Sequence, residues 1–337
     1  MNNQTGNMTP EEILLLSLCR LEFDSMQIAA AGEYVRQVTD WTYFTRLANE
    51  HGIIALAAYN IKKCGLQEEL PEDAMGVLEN GYIKSLTRNT WLTERWKEVN
   101  TILCNAGIKH ILLKGMVLEH TIYGSRGLRQ MNDNDILLKS DEALKGWDLL
   151  QRNGYDPEPL KSPLFRKIRF ELGHHLPALS KNGYVVEIHK TLPGIPATDS
   201  AMPDIFTHAP EIFIGDTKAV ILPKEIHQIF LIDHFHRHTR AGDCQLRLYS
   251  DIMLLDKNCK LSFPHQFLSN PKQGYKKQYR KEAYRSAVRN IAAKHRLRFI
   301  AGDIFPAAWW MKKRYKCSGL KMLLHYPKRI GKLMWLI

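Results

Sequence analysis

Apolar residues recur at helical spacing through the first third of the chain. Thr9-Pro10-Glu11-Glu12 supplies a capping residue, a first-turn proline and a Glu three positions after the Thr, and Ile13–Leu16 then opens an apolar face. Trp41 to Lys63 keeps the period, with Phe44, Leu47, Ala48, Ile54 and Leu56 as expected core. Pro71 opens another segment, and Met75 to Ala106 predicts one long helix that stops near Gly107 and carries Trp91 and Trp96 as packing residues. The period then shortens. Ile108 to Leu113 reads as a strand, Met116 to Tyr123 as a short helix, and Ile136 to Leu138 as a second strand. Ser140 is placed to cap a helix whose first turn holds Asp141 and Glu142 and which Gly154 ends. Leu176–Ser180 and Tyr184–His189 flank Asn182-Gly183, a hairpin signal. From Pro223 the helical period returns, again through Leu246 to Leu255, until Pro264 and Asn270-Pro271 interrupt it. The expected class is α+β and mainly helical. It divides into an N-terminal helical region (1–107), a small mixed α/β core (108–200), a C-terminal helical region (201–268) and a tail (269–337).

Charge changes this picture in one respect. The 337 residues carry 47 Lys and Arg against 35 Asp and Glu, a net of +12. Residues 271–337 hold 18 of the cations and only two acids, Glu282 and Asp303, so the remainder of the chain is net −4. A uniformly basic nucleic-acid coat protein is excluded, and the basicity belongs to the tail. Six scattered cysteines form no Cys-x-x-Cys pair, no run approaches the ~18 apolar residues of a membrane span, and the polar start lacks a signal pattern. The expectation is a cytoplasmic protein with reduced thiols.

The sharpest candidate chemistry is Asp133-Asn134-Asp135 at the head of a strand. Residues i and i+2 of a strand face one side, so the two carboxylates converge. Such a pair is costly unless a cation neutralises it, and hard oxygen donors suit Mg²⁺ or Mn²⁺. Lys114-Gly115 ends the preceding strand. Gly115 would let the backbone approach a phosphate, the next helix would offer free N–H groups, and Lys114 would bring a point charge. Arg129, and secondarily Arg126, lie in the connection to the Asp pair and are candidates for phosphate contact. Glu187 and His189 share a face of the second hairpin strand, and His174-His175 begins the first. His234 and His238 share a helical face, which allows two zinc ligands but not a third from His236.

Leu112-Leu113-Lys114-Gly115, Tyr123-Gly124, Arg129-x-Met131-x-Asp133-x-Asp135-Ile136-Leu137-Leu138, Glu187-x-His189 and Leu246-Arg247-Leu248-Tyr249-Ser250-Asp251-Ile252 occur in that order. Together they resemble the uncharacterised bacterial nucleotidyltransferase family of the DNA polymerase β-like superfamily, over about Thr9 to Asp256. Asn132, Asn134 and Lys190 depart from the pattern. The resemblance implies a polymerase β-like core and transfer of NMP from an NTP to an acceptor hydroxyl, with pyrophosphate released. Asp133, Asp135 and Glu187 would hold two divalent ions, Mg²⁺ or Mn²⁺. Glu187 would assist removal of the acceptor proton, Lys114, Gly115, Arg129 and His189 would meet the nucleotide, and Asp251 would orient a ligand. It leaves the acceptor open among sugar phosphate, lipid-linked glycan, peptide, protein and RNA.

The tail lies outside the resemblance. Trp309 to Lys316 and Lys328 to Trp335 mix aromatics with cations, which suits an anionic membrane surface, single-stranded nucleic acid, or a solvated helical face. Three readings therefore stand: a metal-dependent nucleotidyltransferase, a catalytically silent binding module attached to the inner membrane face by its tail, and an RNA-directed enzyme whose tail grips the acceptor.

Overall fold

The computed structural model describes residues 8–124, 126–195 and 201–336; the polar start Met1–Asn7 and the expected boundary at residue 200 lie outside them. The first helix, α1 (Pro10–Ser17), opens on the reciprocal cap expected from its sequence. The Glu12 N–H donates to the Thr9 hydroxyl, and the Thr9 N–H donates to the Glu12 carboxylate at 3.2 Å. Asp24 and Gln27 repeat the device at α2 (Ser25–Gln37). Next come α3 (Trp41–Glu50), α4 (Ile54–Lys63) and α5 (Glu72–Asn105), the long helix expected over Met75–Ala106. Its Trp96 is fully buried, with Trp91 packed on the same cluster.

Then follow β1 (His110–Leu113), α6 (Lys114–Thr121), β2 (Asn134–Leu138), α7 (Ala143–Arg152), β3 (Asp156–Pro157), β4 (Leu179–Lys181) and β5 (Tyr184–His189). Their sheet runs β1-β2-β5-β4-β3, with β2–β5 parallel and the other pairs antiparallel. Asn182 (φ 51°) and Gly183 (φ 81°) both sit in the left-handed region, as the tight β4–β5 turn demands. The expected mixed unit in a largely helical chain is therefore present.

Three local expectations are corrected. Ser140 does not cap α7: the Lys139 carbonyl accepts from both Glu142 and Ala143 N–H groups, so the chain turns first and the helix starts at Ala143. The strand expected over Leu176–Ser180 pairs regularly only from Leu179, because Pro177 has no N–H to give the ladder. The stretch 201–268 is not wholly helical. After α8 (Ala201–His208), strands β6 (Glu211–Ile214) and β7 (Thr217–Val220) form a hairpin that continues past β1 through a Leu112–Ile221 bridge.

Helices α9 (Lys224–Ala241) and α10 (Leu246–Leu255) return to the N-terminal helices and share their core through Phe235, Leu246 and Ile252. One sheet face packs Leu112, Ile136, Val186 and Ile188 against Trp96 and Trp147. The other buries Ile111, Leu113 and Leu137 against Phe230 of α9. The tail forms α11 (Lys277–Asn290), α12 (Ala293–Ile304), α13 (Ala308–Tyr315) and α14 (Tyr326–Leu336). The helices α11 and α12 are separate, and α12 packs on residues 163–165, where a Cβ at Gly302 would strike the Phe165 ring. Among the described residues no helix is long and apolar enough to cross a membrane.

Candidate active site

Strand register builds the site. Leu113 lies opposite Asp135 on one side, and Asp135 lies opposite Glu187 on the other, so both acids occupy one row across the sheet. Leu137 and His189 form the next row on that face. Asn134 points to the opposite face, fully buried, where its amide donates to Leu92 O at 3.2 Å and the Tyr184 hydroxyl at 3.0 Å. The polar departure at this position is therefore a core hydrogen bond between sheet and α5, away from the carboxylates.

Lys114 stands at the β1–α6 junction with φ 49°, in the left-handed region. That conformation costs a non-glycine residue of order 1 kcal/mol and marks a position held by its surroundings. Its Nζ donates to Asp135 Oδ1 at 2.6 Å, and His189 Nε2 meets the same oxygen at 2.8 Å. Burial alone would raise the Asp135 carboxyl, but the Lys114 ammonium and the His189 N–H hold it well below the usual carboxylate range. Burial lowers His189 to about 4, so its ring is neutral: Nε2 donates, and Nδ1 is a buried acceptor without a partner.

Glu187 is the counterpart. Its burial, and then the charge of Asp135, push its carboxyl up to about 7. Two carboxylates this close cannot both ionise comfortably without added positive charge. Asp133 reaches solvent at the lip of the site, and the protein around it and the Asp135 charge raise its carboxyl as well. Donor atoms of Asp135, Glu187 and His189 all lie within 4.8 Å of one another. Two carboxylates beside an imidazole, with one carboxyl raised for want of counter-charge, fit a hard divalent cation. Asp133 stands outside this compact group.

The structure places Arg129 differently from a phosphate-facing residue. Its side chain is 8% exposed, with Nε at 3.0 Å from both Asp251 carboxylate oxygens and Nη2 at 2.8 Å from Oδ2. The Tyr123 hydroxyl donates to Asp251 Oδ1 at 3.0 Å. Glu119 accepts from the Gly127 and Arg129 N–H groups, and Asn89 donates to the Arg129 carbonyl. Arg129 is thus fixed from α5, α6 and α10, and it lies against Gly115: a Cβ there would fall 2.9 Å from Arg129 Cζ. The glycine makes room for this guanidinium. Arg126 is turned away, donating to the Tyr59 hydroxyl at 2.8 Å.

Sequence reading assigns no role to Glu119 or to Arg247. Arg247 donates to Gln130 O at 2.6 Å, and its charge reaches Asp133. Its i,i+4 spacing from Asp251 was the available signal; nothing local marks Glu119. His174 and His175 do approach the site, with rings 5.9 and 5.7 Å from His189, and burial lowers His174 to about 3. His234 and His238 rings lie 4.4 Å apart, but His238 pairs with Asp243 at 3.1 Å, and among the described residues no third donor joins them.

A family model described as an uncharacterised nucleotidyltransferase matches residues 37–270, a span that contains every site residue named above. No curated protein matches, and no solved structure does. The matched span exceeds half of the chain, and the chain belongs to the uncharacterised nucleotidyltransferase family.

Proposed function

We propose that this nucleotidyltransferase is metal-dependent and moves NMP from an NTP to an acceptor hydroxyl. The carrying observation is the shared row of Asp135 and Glu187 on adjacent parallel strands, with Lys114 on Asp135 at 2.6 Å. Asp135 and Glu187, joined by Asp133 from the lip, would hold Mg²⁺ or Mn²⁺, in a pair on the two-metal reading. Such ions activate the attacking oxygen and steady the charge on the leaving pyrophosphate.

The chain's own groups have separable tasks. Lys114 and the first N–H groups of α6 receive the triphosphate. His189 fixes the Asp135 carboxylate through Nε2. Arg129 acts as a positioning residue, bracing Gly115 and therefore the start of α6 from beneath. As the acceptor oxygen bonds to the α-phosphorus, the bond from that phosphorus to the pyrophosphate oxygen breaks. Pyrophosphate leaves with the electron pair, and the hydroxyl proton passes to Glu187, the more exposed carboxylate of the row, or to solvent.

The test is incubation of the whole chain with each α-labelled NTP and Mg²⁺ or Mn²⁺, with and without a chelator, followed by mass analysis of protein and cell extract. Label transfer with pyrophosphate release is expected for at least one NTP, and Glu187→Gln should slow it by about a hundredfold. Absence of transfer under every combination would sink the reading and leave a silent binding module.

A further inference from the structure

The C-terminal helices and residues 158–177 enclose a second space, a cleft of about 1170 Å³. That exceeds the ~300–1,000 Å³ of ordinary small-molecule pockets, so an extended occupant suits it. Its lining is unbalanced in charge. Lys161 and Arg169 stand on the core side, and Arg280, Lys313, Arg314 and Lys328 come from the tail. Glu158 and Asp303 are the acids among the lining residues. Asp303 is already paired with Lys161, and its carbonyl accepts from Arg329 Nε at 3.0 Å. Among the described residues no carboxylate pairs with Arg169, Arg280, Lys313, Arg314 or Lys328. Converging cations repel one another unless an anion lies between them.

Aromatic rings are set among these charges. Trp310 is held by Lys161 and Arg329, 5.1 and 4.6 Å from its ring centre, and Tyr315 stacks on His325 at 4.1 Å. Trp309, 40% exposed, stands at the rim. Phosphate-seeking cations beside a free indole are the two elements that hold single-stranded nucleic acid. The cleft is joined to the carboxylate site along the chain, though no residue of the carboxylate row lines it. Pro177 lines it and lies two residues from His175, whose backbone bridges His189, and two residues reach at most about 7 Å.

We propose that this cleft binds the single-stranded end of a nucleic acid and presents its terminal hydroxyl as the acceptor. The acceptor role rests on the nucleotidyl-transfer reading; the binding does not. The terminal oxygen would form the new bond to the α-phosphorus, pyrophosphate would leave, and the proton would pass to Glu187 or solvent. A membrane surface is the competing occupant, since Leu320, Leu323 and Leu324 are exposed beside Lys316 and Lys321. None of these five lines the cleft, so a membrane would leave the cations that line it unanswered.

The test is fluorescence anisotropy of the full chain with a labelled single-stranded RNA of about 12 nucleotides and no NTP, across a salt series. Binding is expected at low salt, with a log–log salt slope near −2 to −3, since each neutralised single-strand phosphate contributes about −0.7. Arg314→Glu with Lys328→Glu should weaken it at least about tenfold, with an unchanged circular dichroism spectrum, and Arg314→Gln should weaken it less. Asp135→Asn should bind like the unaltered chain, so a failed cleft and a failed active site give different results. No binding at low salt, equal affinity in the double variant, or capture by vesicles of equal phosphatidylcholine and phosphatidylglycerol without competition by RNA overturns the proposal. Transfer to some other acceptor, with bound RNA left unlabelled, overturns the acceptor role.

Discussion

Two buried cation–carboxylate pairs lie close together in this molecule, and they are built differently. Arg129 and Asp251 are 8% and 1% exposed, Lys114 and Asp135 14% and 6%. Asp251 faces a guanidinium fork and a tyrosine hydroxyl, so both its oxygens are committed. Asp135 carries both its cation and its imidazole on one oxygen, with a second carboxylate raised to about 7 beside it. The first centre is closed: charge balanced, donors and acceptors matched. The second has more carboxylate than cation. An ion pair alone therefore says little about activity. The surplus of like charge, held at a cost near solvent, is what separates a reacting centre from a joint in the scaffold.

The comparison breaks most clearly at Asp135. Asp135→Asn should reduce NMP transfer by at least about 10⁴-fold, roughly 5 kcal/mol of barrier, with a smaller loss of stability than Arg129→Ala because Glu187 remains beside Lys114. Turnover within tenfold of normal would show that the open centre is not the reacting one. Arg129→Ala should do the reverse by leaving Asp251 buried and unpaired. A loss of about 3–5 kcal/mol in urea unfolding is expected, and an unchanged midpoint would remove the distinction.

Acid should find a third buried polar joint. His51 accepts from the Leu246 N–H through Nδ1 and lies 2.8 Å from Leu268 O through Nε2, tying the N-terminal helices to α10 and the chain beyond. Burial lowers it from 6.5 to about 4. The unfolded chain therefore takes up a proton first as pH falls. The contribution is complete above about pH 6.5 and is lost progressively towards pH 4, up to about 3 kcal/mol. Unfolding midpoints across that window should flatten in His51→Gln; an unchanged slope would assign the acid sensitivity elsewhere. Gly115→Ala should have the smallest effect, about 1–3 kcal/mol, because Arg129 is pinned and cannot yield to a methyl group. A stability matching the unaltered chain would mean that the guanidinium shifts freely.

What the sequence disclosed was mostly local. The Thr9 cap, the long α5 and the Asn182-Gly183 turn each depend on residues within a few positions of one another. The β6–β7 hairpin had a comparable signal in Gly215-Asp216 between two short apolar-alternating runs, but surrounding helical periods masked it. At the site, strand alternation predicts Asp133 and Asp135 on one side, but β2 begins at Asn134 and Asp133 stays outside the compact group. Which acid would join Asp135 depended on the parallel register with β5, which no local pattern specifies. Arg129 was the clearest displacement. A basic residue in the connection before the Asp pair suggested phosphate contact, yet its partner lies 122 positions away on α10. Long-range pairing of charges leaves no periodic trace in either segment.

The Asn182-Gly183 turn has a further consequence, for where the chain tolerates insertions. One residue added there would displace β5 by one position against β4. Because side chains alternate at period two, Glu187 and His189 would exchange faces with Val186 and Ile188. The chemistry would be lost from the row while the hydrogen-bond count hardly changed. Residues 158–175, by contrast, join two strands whose alignment is set by the ladders themselves. That excursion is nonetheless held, at Lys161 and Ser162 by Ala307 and Phe305 and at His174 by Lys190, so an added residue between these points should cost stability without moving the carboxylate row.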